Sequence, residues 1–70
     1  MDLVQLLGRN VRAARHARGM SQEQLAFEAE MKRSYVSDLE RGTRNPSVRA
    51  LARLAAALGV DPADLLRDAD

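Results

Sequence analysis

Glycines and helix-capping residues recur along this chain and divide it into short segments, which limits what it can fold into. The segments carry apolar residues at helical spacing, and no strand pattern competes with them. The first, about Leu3 to Arg18, ends at Gly19, and the fourth ends at Gly59. Seventy residues can bury only one small core. The chain is therefore predicted to form one all-α domain of five short helices over residues 1–70.

Capping residues predict where the second and fifth helices begin, and a short turn separates the second helix from the third. Ser21 is a preferred N-cap residue, with Gln24 as its capping-box partner. A fifth helix is predicted from Asp61 as N-cap, followed by Pro62 at the first helical position. Between the second and third helices, the letters AEM leave room for a very tight turn. Two short helices joined in this way usually cross at a large angle, as in a helix-turn-helix.

The third helix, in the stretch MKRSYVSDLERG, has its charges placed against its own dipole. Two cations, Lys32 and Arg33, lie at the amino end, although that end favours anions by about 0.3 to 1 kcal/mol. Two acids lie near the carboxyl end. A helical wheel places Tyr35, Val36 and Leu39 toward the core and the following side chains away from it: Arg33, Ser34, Ser37, Asp38 and Arg41. Charges placed in this way need partners outside their own helix.

The charge distribution indicates a polyanionic partner. Residues 9–53 carry a net charge of +5 and residues 54–70 a net charge of −3, although the whole chain is only +1. A basic segment of this kind favours binding to nucleic acid, although many helical proteins simply carry mixed charges. The chain has only two aromatic residues, so it has few side chains on which the bases of single-stranded nucleic acid could stack.

Several other classes of function find little support. One histidine, no cysteine and no glycine-rich phosphate loop leave no material for an enzyme or a metal site, and no cofactor or small-molecule ligand is evident. His16 is predicted to be a solvated surface residue. No run is long and apolar enough to span a bilayer. The lack of cysteine and of a basic-then-apolar leader favours a reducing cytoplasm.

Two stretches, GMSQEQLAFEAEMKRSYVSDLERGTRNPS and LARLAAALGVDPADLL, resemble the Cro/phage-repressor-like helix-turn-helix family, also called XRE-type regulators. They match its Gln and Leu-Ala run, its Leu-Glu-x-Gly turn, the proline after it and the pattern of its fourth helix. The resemblance implies a compact five-helix lambda-repressor-like domain that binds double-stranded DNA and regulates transcription. Glu30 departs from the family, which commonly has a left-handed glycine there, and Lys32 is a poor N-cap.

The resemblance also implies which residues contact DNA. Arg33 and Ser34, in the first turn of the third helix, are expected to read bases, Arg33 by two hydrogen bonds to guanine. Asp38 could accept from cytosine N4, steer Arg33 or simply repel wrong sequences, but the sequence suggests no convincing partner for it. The predicted base-reading set is Arg33, Ser34, Ser37 and Asp38. The predicted phosphate-binding set is Gln22, Lys32, Tyr35, Arg41, Thr43, Arg44 and Asn45, in which Tyr35 is also a candidate for the core.

Glu40 lies at the edge of the core face of the third helix and needs a partner if it is half-buried. Arg15 lies beside the apolar stripe of the first helix, and the family pairs an arginine there with the glutamate before the glycine turn. We therefore predict a structural ion pair between Arg15 and Glu40, with no catalytic role.

A single module of this size makes few base contacts, so a homodimer on a pseudo-palindromic site is predicted. Its predicted dimer patch is Leu65, Leu66 and the exposed parts of the fourth and fifth helices. The segments RSYVSDLERG and RNPS look most like the small controller proteins of restriction-modification systems. Antitoxins, phage repressors and DNA-binding partners of larger regulators have similar short chains. The alternative function is therefore an antitoxin or other interaction module whose main partner is a protein.

Overall fold

Helices account for all the regular secondary structure in the part of the chain that the structure describes. The structure is a computed structural model, and it describes residues 2–68 of the predicted 1–70 domain. In chain order the helices are α1 (Leu3–Ala17), α2 (Gln22–Glu28), α3 (Arg33–Glu40) and α4 (Val48–Leu58), followed by a 3-10 helix (Pro62–Leu66). The prediction of an all-α helix-turn-helix fold is confirmed.

The fifth segment is helical where predicted, but it is a 3-10 helix instead of an α-helix. It spans five residues, and the backbone N–H of Asp64 donates to the carbonyl of Asp61 at 2.9 Å, three residues back. A segment this short closes few i to i+4 hydrogen bonds, so the tighter i to i+3 pattern is sufficient.

The helix starts follow the predicted caps, with two additions, one of them Ser47 at the start of α4. The hydroxyl of Ser21 accepts from the backbone N–H of Gln24 at 3.0 Å, and the carboxylate of Asp61 accepts at the start of the 3-10 helix. Asp2, which the sequence analysis missed, caps α1 by accepting from the N–H of Val4 at 3.0 Å. These caps satisfy N–H groups that have no partner inside their own helix.

The turn between α2 and α3 contains a residue in the left-handed conformation. Glu30 adopts a φ of 58°, so a non-glycine residue occupies the position where the family commonly has glycine. The N–H of Glu30 donates to the carbonyl of Phe27 at 3.2 Å, and the N–H of Met31 to that of Ala26 at 2.9 Å. This pair of bonds is a Schellman motif, which ends α2 and starts the chain toward α3.

One hydrophobic core lies where the helices meet. Its buried members are Leu7, Val11, Met20, Leu25, Ala26, Ala29, Val36, Leu39, Leu54, Ala55, Leu58 and Leu65. Leu65 is only 2% exposed, so its placement in a dimer patch was wrong: the 3-10 helix points this side chain into the core. Its neighbour Leu66 is 40% exposed. Among residues 2–68, no helix is long and apolar enough to cross a membrane.

Helix α1 packs directly against α3 at Gly8. A Cβ atom on this buried residue would lie 2.2 Å from the carbonyl oxygen of Leu39 and 3.2 Å from that of Glu40. Only a residue without a side chain allows the two backbones to approach so closely. The contact sets the position of the carboxyl end of α3 relative to α1.

The carboxyl-terminal part of the fold is tied back to α1 by side chains that the sequence analysis missed. The Asn10 amide donates to the carbonyls of Leu65 at 2.9 Å and Arg67 at 2.8 Å. The Arg18 guanidinium donates to the carbonyl of Leu58 at the end of α4, also at 2.9 Å. These bonds hold the 3-10 helix over the core, where Leu65 completes the packing.

Candidate nucleic-acid interface

The first turn of α3 presents polar side chains to solvent. Val36 and Leu39 bury one face of the helix completely, and Arg33 and Ser34 are exposed. Lys32 occupies the N-cap without making a side-chain cap, as its residue type predicts. Within residues 2–68, neither Lys32 nor Arg33 takes part in an ion pair. Their charges are therefore available to a partner outside the protein.

Arg15 and Glu40 meet between α1 and α3. Arg15 Nε donates to Glu40 Oε2 at 2.7 Å, and Nη2 donates to Oε1 at 3.0 Å. Their side chains are only 9% and 4% exposed. Arg15 Nη1 also donates to the carbonyl of Met20 at 2.8 Å, and the Gln22 amide donates to Glu40 Oε1 at 3.0 Å. This bidentate pair therefore joins α1, the start of α2 and the end of α3.

The surroundings of Glu40 keep its carboxyl ionised. Burial by itself raises the pKa of this group. Hydrogen bonds from Arg15 and Gln22, together with the charges of Arg15 and Arg12, outweigh burial and hold the Glu40 pKa below its ordinary value. The hydrogen bond to Glu40 likewise raises the pKa of Arg15. Both groups are charged at neutral pH, as a structural ion pair requires.

Asp38 has partners, contrary to what its sequence context suggested. Its Oδ1 pairs with Arg41, and its Oδ2 lies 3.9 Å from Arg44 Nη2 in the loop after α3. The Arg44 guanidinium in turn lies 4.5 Å above the centre of the Tyr35 ring. The backbone N–H and the hydroxyl of Thr43 each donate to the Asp38 carbonyl at 3.0 Å. The loop is thus bound to the exposed face of α3.

The structure brings most of the predicted phosphate-binding residues together around α3. The loop residues Thr43, Arg44 and Asn45 are exposed, and Arg41 is exposed at the end of the helix. Gln22 is half-buried, because its amide is used inside the protein by Glu40. No local pattern predicts this bond, which joins residues 18 positions apart.

No metal centre is visible in residues 2–68. This part of the chain has no group of three or more histidine, cysteine, aspartate or glutamate side chains that could hold a metal ion. The charged clusters consist instead of arginine and carboxylate pairs.

Two short helices joined by a tight turn, with the second exposed and braced by α1, define a helix-turn-helix protein. The helix-turn-helix family model matches residues 11–65. The chain belongs to this family, in its XRE-type branch of DNA-binding transcription regulators. The family resemblance inferred from the sequence is thereby confirmed.

Several relatives of this chain are controller proteins. It is 52% identical over 62 residues to the control protein C.BamHI of Bacillus amyloliquefaciens, covering 87% of this chain and 76% of the relative. The solved structure of the restriction-modification controller protein C.AhdI from Aeromonas hydrophila is 44% identical with a TM-score of 0.86, covering 89% and 94% of the two chains. A hypothetical transcription factor from Neisseria superposes with a TM-score of 0.93 at 40% identity, covering 97% and 78%.

Proposed function

We propose that this protein reads a specific double-stranded DNA sequence with α3 and binds as a homodimer to a pseudo-palindromic operator. The observation that carries this proposal is the first turn of α3. There Arg33 and Ser34 are exposed and outside any ion pair within residues 2–68, while the opposite face of the helix is anchored in the core. A rigid helix with a free arginine at its amino end suits insertion into the major groove.

Base reading is assigned to the outward face of α3. Arg33 can donate two hydrogen bonds to O6 and N7 of a guanine, and Ser34 can donate or accept with either base type. Ser37 lies one turn further along. Contacts to phosphate, which position the protein without carrying sequence information, are assigned to a set in and around α3: Gln22, Lys32, Tyr35, Arg41, Thr43, Arg44 and Asn45.

Arg33→Ala tests the base-reading assignment. Loss of a bidentate guanine contact in each half-site is expected to weaken binding to the preferred duplex by about tenfold to a hundredfold per contact. Binding to an unrelated duplex should change far less, because it depends on the total phosphate contacts. Both affinities would be measured at one fixed salt concentration, using a duplex first selected from a random pool.

Arg53→Ala is the matched control, since it removes an exposed arginine from α4 instead of α3. It should leave the preference for the selected duplex intact. Unchanged specific affinity in Arg33→Ala would show that α3 does not read bases through this residue.

An exposed apolar groove supports the homodimer. It lies between the start of α1, the start of α4 and the 3-10 helix, and its lining includes Leu3, Leu51 and Leu66. Val48, on its rim, is 83% exposed. A second copy of the chain covering this groove would bury the apolar surface that the small core leaves open. The dimer patch is therefore revised to keep Leu66, to add Val48 and to exclude the buried Leu65.

Replacing both Val48 and Leu66 with glutamate is expected to dissociate the dimer, because charges at its centre would face each other. Sedimentation equilibrium at micromolar concentration would show a shift from dimer to monomer. Phe27→Glu is the control, since Phe27 is 82% exposed but lies outside the groove. A double variant that remains dimeric would remove this patch from consideration. A wild-type protein that is monomeric with and without DNA would contradict the homodimer itself.

The similarity to controller proteins supports a narrower role, the control of genes in a restriction-modification system. Because the family consists of transcription regulators that bind DNA, we also propose the cytoplasm as the compartment and regulation without catalytic activity as the role. Selection of bound sequences from a random DNA pool is the direct test of the function. A chain that retains no duplex in that selection would favour the protein-interaction alternative, with a protein such as a toxin as its main partner.

A further inference from the structure

The geometry around Asp38 points to a role different from base reading. We propose that the Asp38 carboxylate is a specificity-determining positioning residue, which restrains Arg41 and Arg44 and so weakens binding to non-specific DNA more than to the operator. The proposal rests on the proposed function of α3. It assigns to Asp38 an action through the two arginines and no contact of its own with a base.

Each oxygen of the carboxylate faces an arginine. Oδ1 pairs with Arg41, and Oδ2 faces the Arg44 guanidinium at 3.9 Å. The Asp38 side chain is 32% exposed, whereas those of Arg41 and Arg44 are 65% and 46% exposed. Of the three groups, the arginines therefore extend furthest into solvent. A base amino group that approaches α3 would therefore meet the arginines before the carboxylate.

Arg44 is held from a second side. Its guanidinium lies 4.5 Å from the centre of the Tyr35 ring, within the range of a cation–π contact. The two hydrogen bonds from Thr43 to the Asp38 carbonyl fix the loop that carries Arg44. Both arginines are thus kept beside α3 instead of sampling the full reach of their side chains.

These ion pairs compete with DNA phosphates. Exposed pairs are individually weak, so a phosphate that arrives in good geometry can displace the carboxylate. On the operator, the base contacts of α3 fix the duplex in one register. Particular phosphates are then held within reach of Arg41 and Arg44, and they displace the Asp38 carboxylate. On unrelated DNA no register is fixed, and the arginines remain paired with Asp38 for more of the time. The carboxylate therefore widens the gap between the two affinities.

Asp38→Asn tests this directly, because it removes the charge and keeps the size of the side chain. Non-specific affinity is expected to rise about three- to tenfold, and the dependence of its logarithm on salt to steepen by about one to two, as the freed arginines contact phosphate. Operator affinity should rise less, so the ratio of specific to non-specific affinity falls. Unchanged non-specific affinity would overturn the proposal.

Asp64→Asn is the matched control. Asp64 forms the same kind of i, i+3 pair with an arginine, Arg67, at 2.8 Å, on the 3-10 helix instead of α3. This variant has the same net charge as Asp38→Asn, so a general charge effect would appear in both. Equal gains in non-specific affinity in the two variants would overturn the proposal.

A variant with Arg41→Gln and Arg44→Gln tells whether Asp38 acts through these arginines. In that background, Asp38→Asn should produce little further gain. A full gain would mean that Asp38 simply repels phosphate, and the proposal would fall. Loss of operator affinity with a changed preference at one base pair would instead mean direct reading, which also overturns it. Failure of α3 to read bases would appear separately, as unchanged specific affinity in Arg33→Ala.

Discussion

Gly8→Ala is expected to be among the most destabilising single substitutions in this protein. The added Cβ would lie 2.2 Å from the carbonyl oxygen of Leu39, which is backbone and cannot rotate away as a side chain could. Helices α1 and α3 would have to separate, at a cost of about 3 kcal/mol in the free energy of unfolding, the upper end for overpacking. That is a large fraction of the stability of a domain this small. Urea denaturation followed by circular dichroism would measure the change.

Gly19→Ala is the control for a change of glycine to alanine. No atom lies within 4 Å of a Cβ at Gly19, but its φ is +67°, so only the backbone conformation is unfavourable. The expected cost is about 1 kcal/mol. Similar losses in the two variants would show that close contact between α1 and α3 is not what Gly8 provides.

Arg15→Met is expected to destabilise the fold by about 3 to 5 kcal/mol, because it leaves the Glu40 carboxylate buried without its cation. Gln22 would remain as one hydrogen-bond donor to Glu40, which is insufficient to balance a full charge. The free energy of unfolding at neutral pH would measure this loss. In the double variant with Glu40→Leu much of the stability should return, since no unpaired charge remains. A double variant no more stable than Arg15→Met would contradict the importance of the pair.

The pH dependence of the free energy of unfolding is a second test of the Arg15–Glu40 pair, because wild type and Arg15→Met should differ in sign. In the wild-type protein the Glu40 pKa is lowered on folding, so its stabilisation is present above the unfolded pKa of about 4.3 and is lost as pH falls through the folded pKa. In Arg15→Met, burial raises the Glu40 pKa instead. That variant should therefore gain stability as the pH falls from neutral toward 5 or so, the opposite of the wild-type contribution from this group.

Features that depend on neighbouring residues could be predicted from the sequence. The capping residue Ser21 and the core face formed by Val36 and Leu39 follow from local chemistry and helical spacing. The left-handed conformation at Glu30 was expected only from the family resemblance. The contact between Arg15 and Glu40 spans 25 positions, and it was inferred from the family together with the position of Glu40 on the wheel. Local signals and a family pattern were sufficient for these.

Contacts that depend on how helices pack could not be read in this way. The Asn10 amide reaches carbonyls 55 and 57 residues away, and Gln22 reaches Glu40 across the turn. Helical periodicity contains no information about either distance. Leu65 was misplaced for the same reason, since an apolar residue near the end of a chain can face the core or the solvent with the same local pattern.

Two features had signals that the sequence analysis did not use. A glycine inside a helix, as at Gly8, lowers helix stability and so suggests close approach of another backbone. Asp38 and Arg41 lie three residues apart on one helix, a spacing at which opposite charges meet. The first signal predicts the contact between α1 and α3, and the second predicts the ion pair on the exposed face of α3.

The linked bonds of Arg15, Glu40 and Gln22 also restrict how this sequence can change over evolutionary time. A mutation of Arg15 or Glu40 alone passes through a chain with a buried, unpaired charge, which a domain of 70 residues can rarely tolerate. Exposed α3 residues such as Arg33 carry no such restriction. Under the proposed function, a new operator preference needs only a single substitution on the outer face of α3, whereas the support beneath it changes only by paired substitutions.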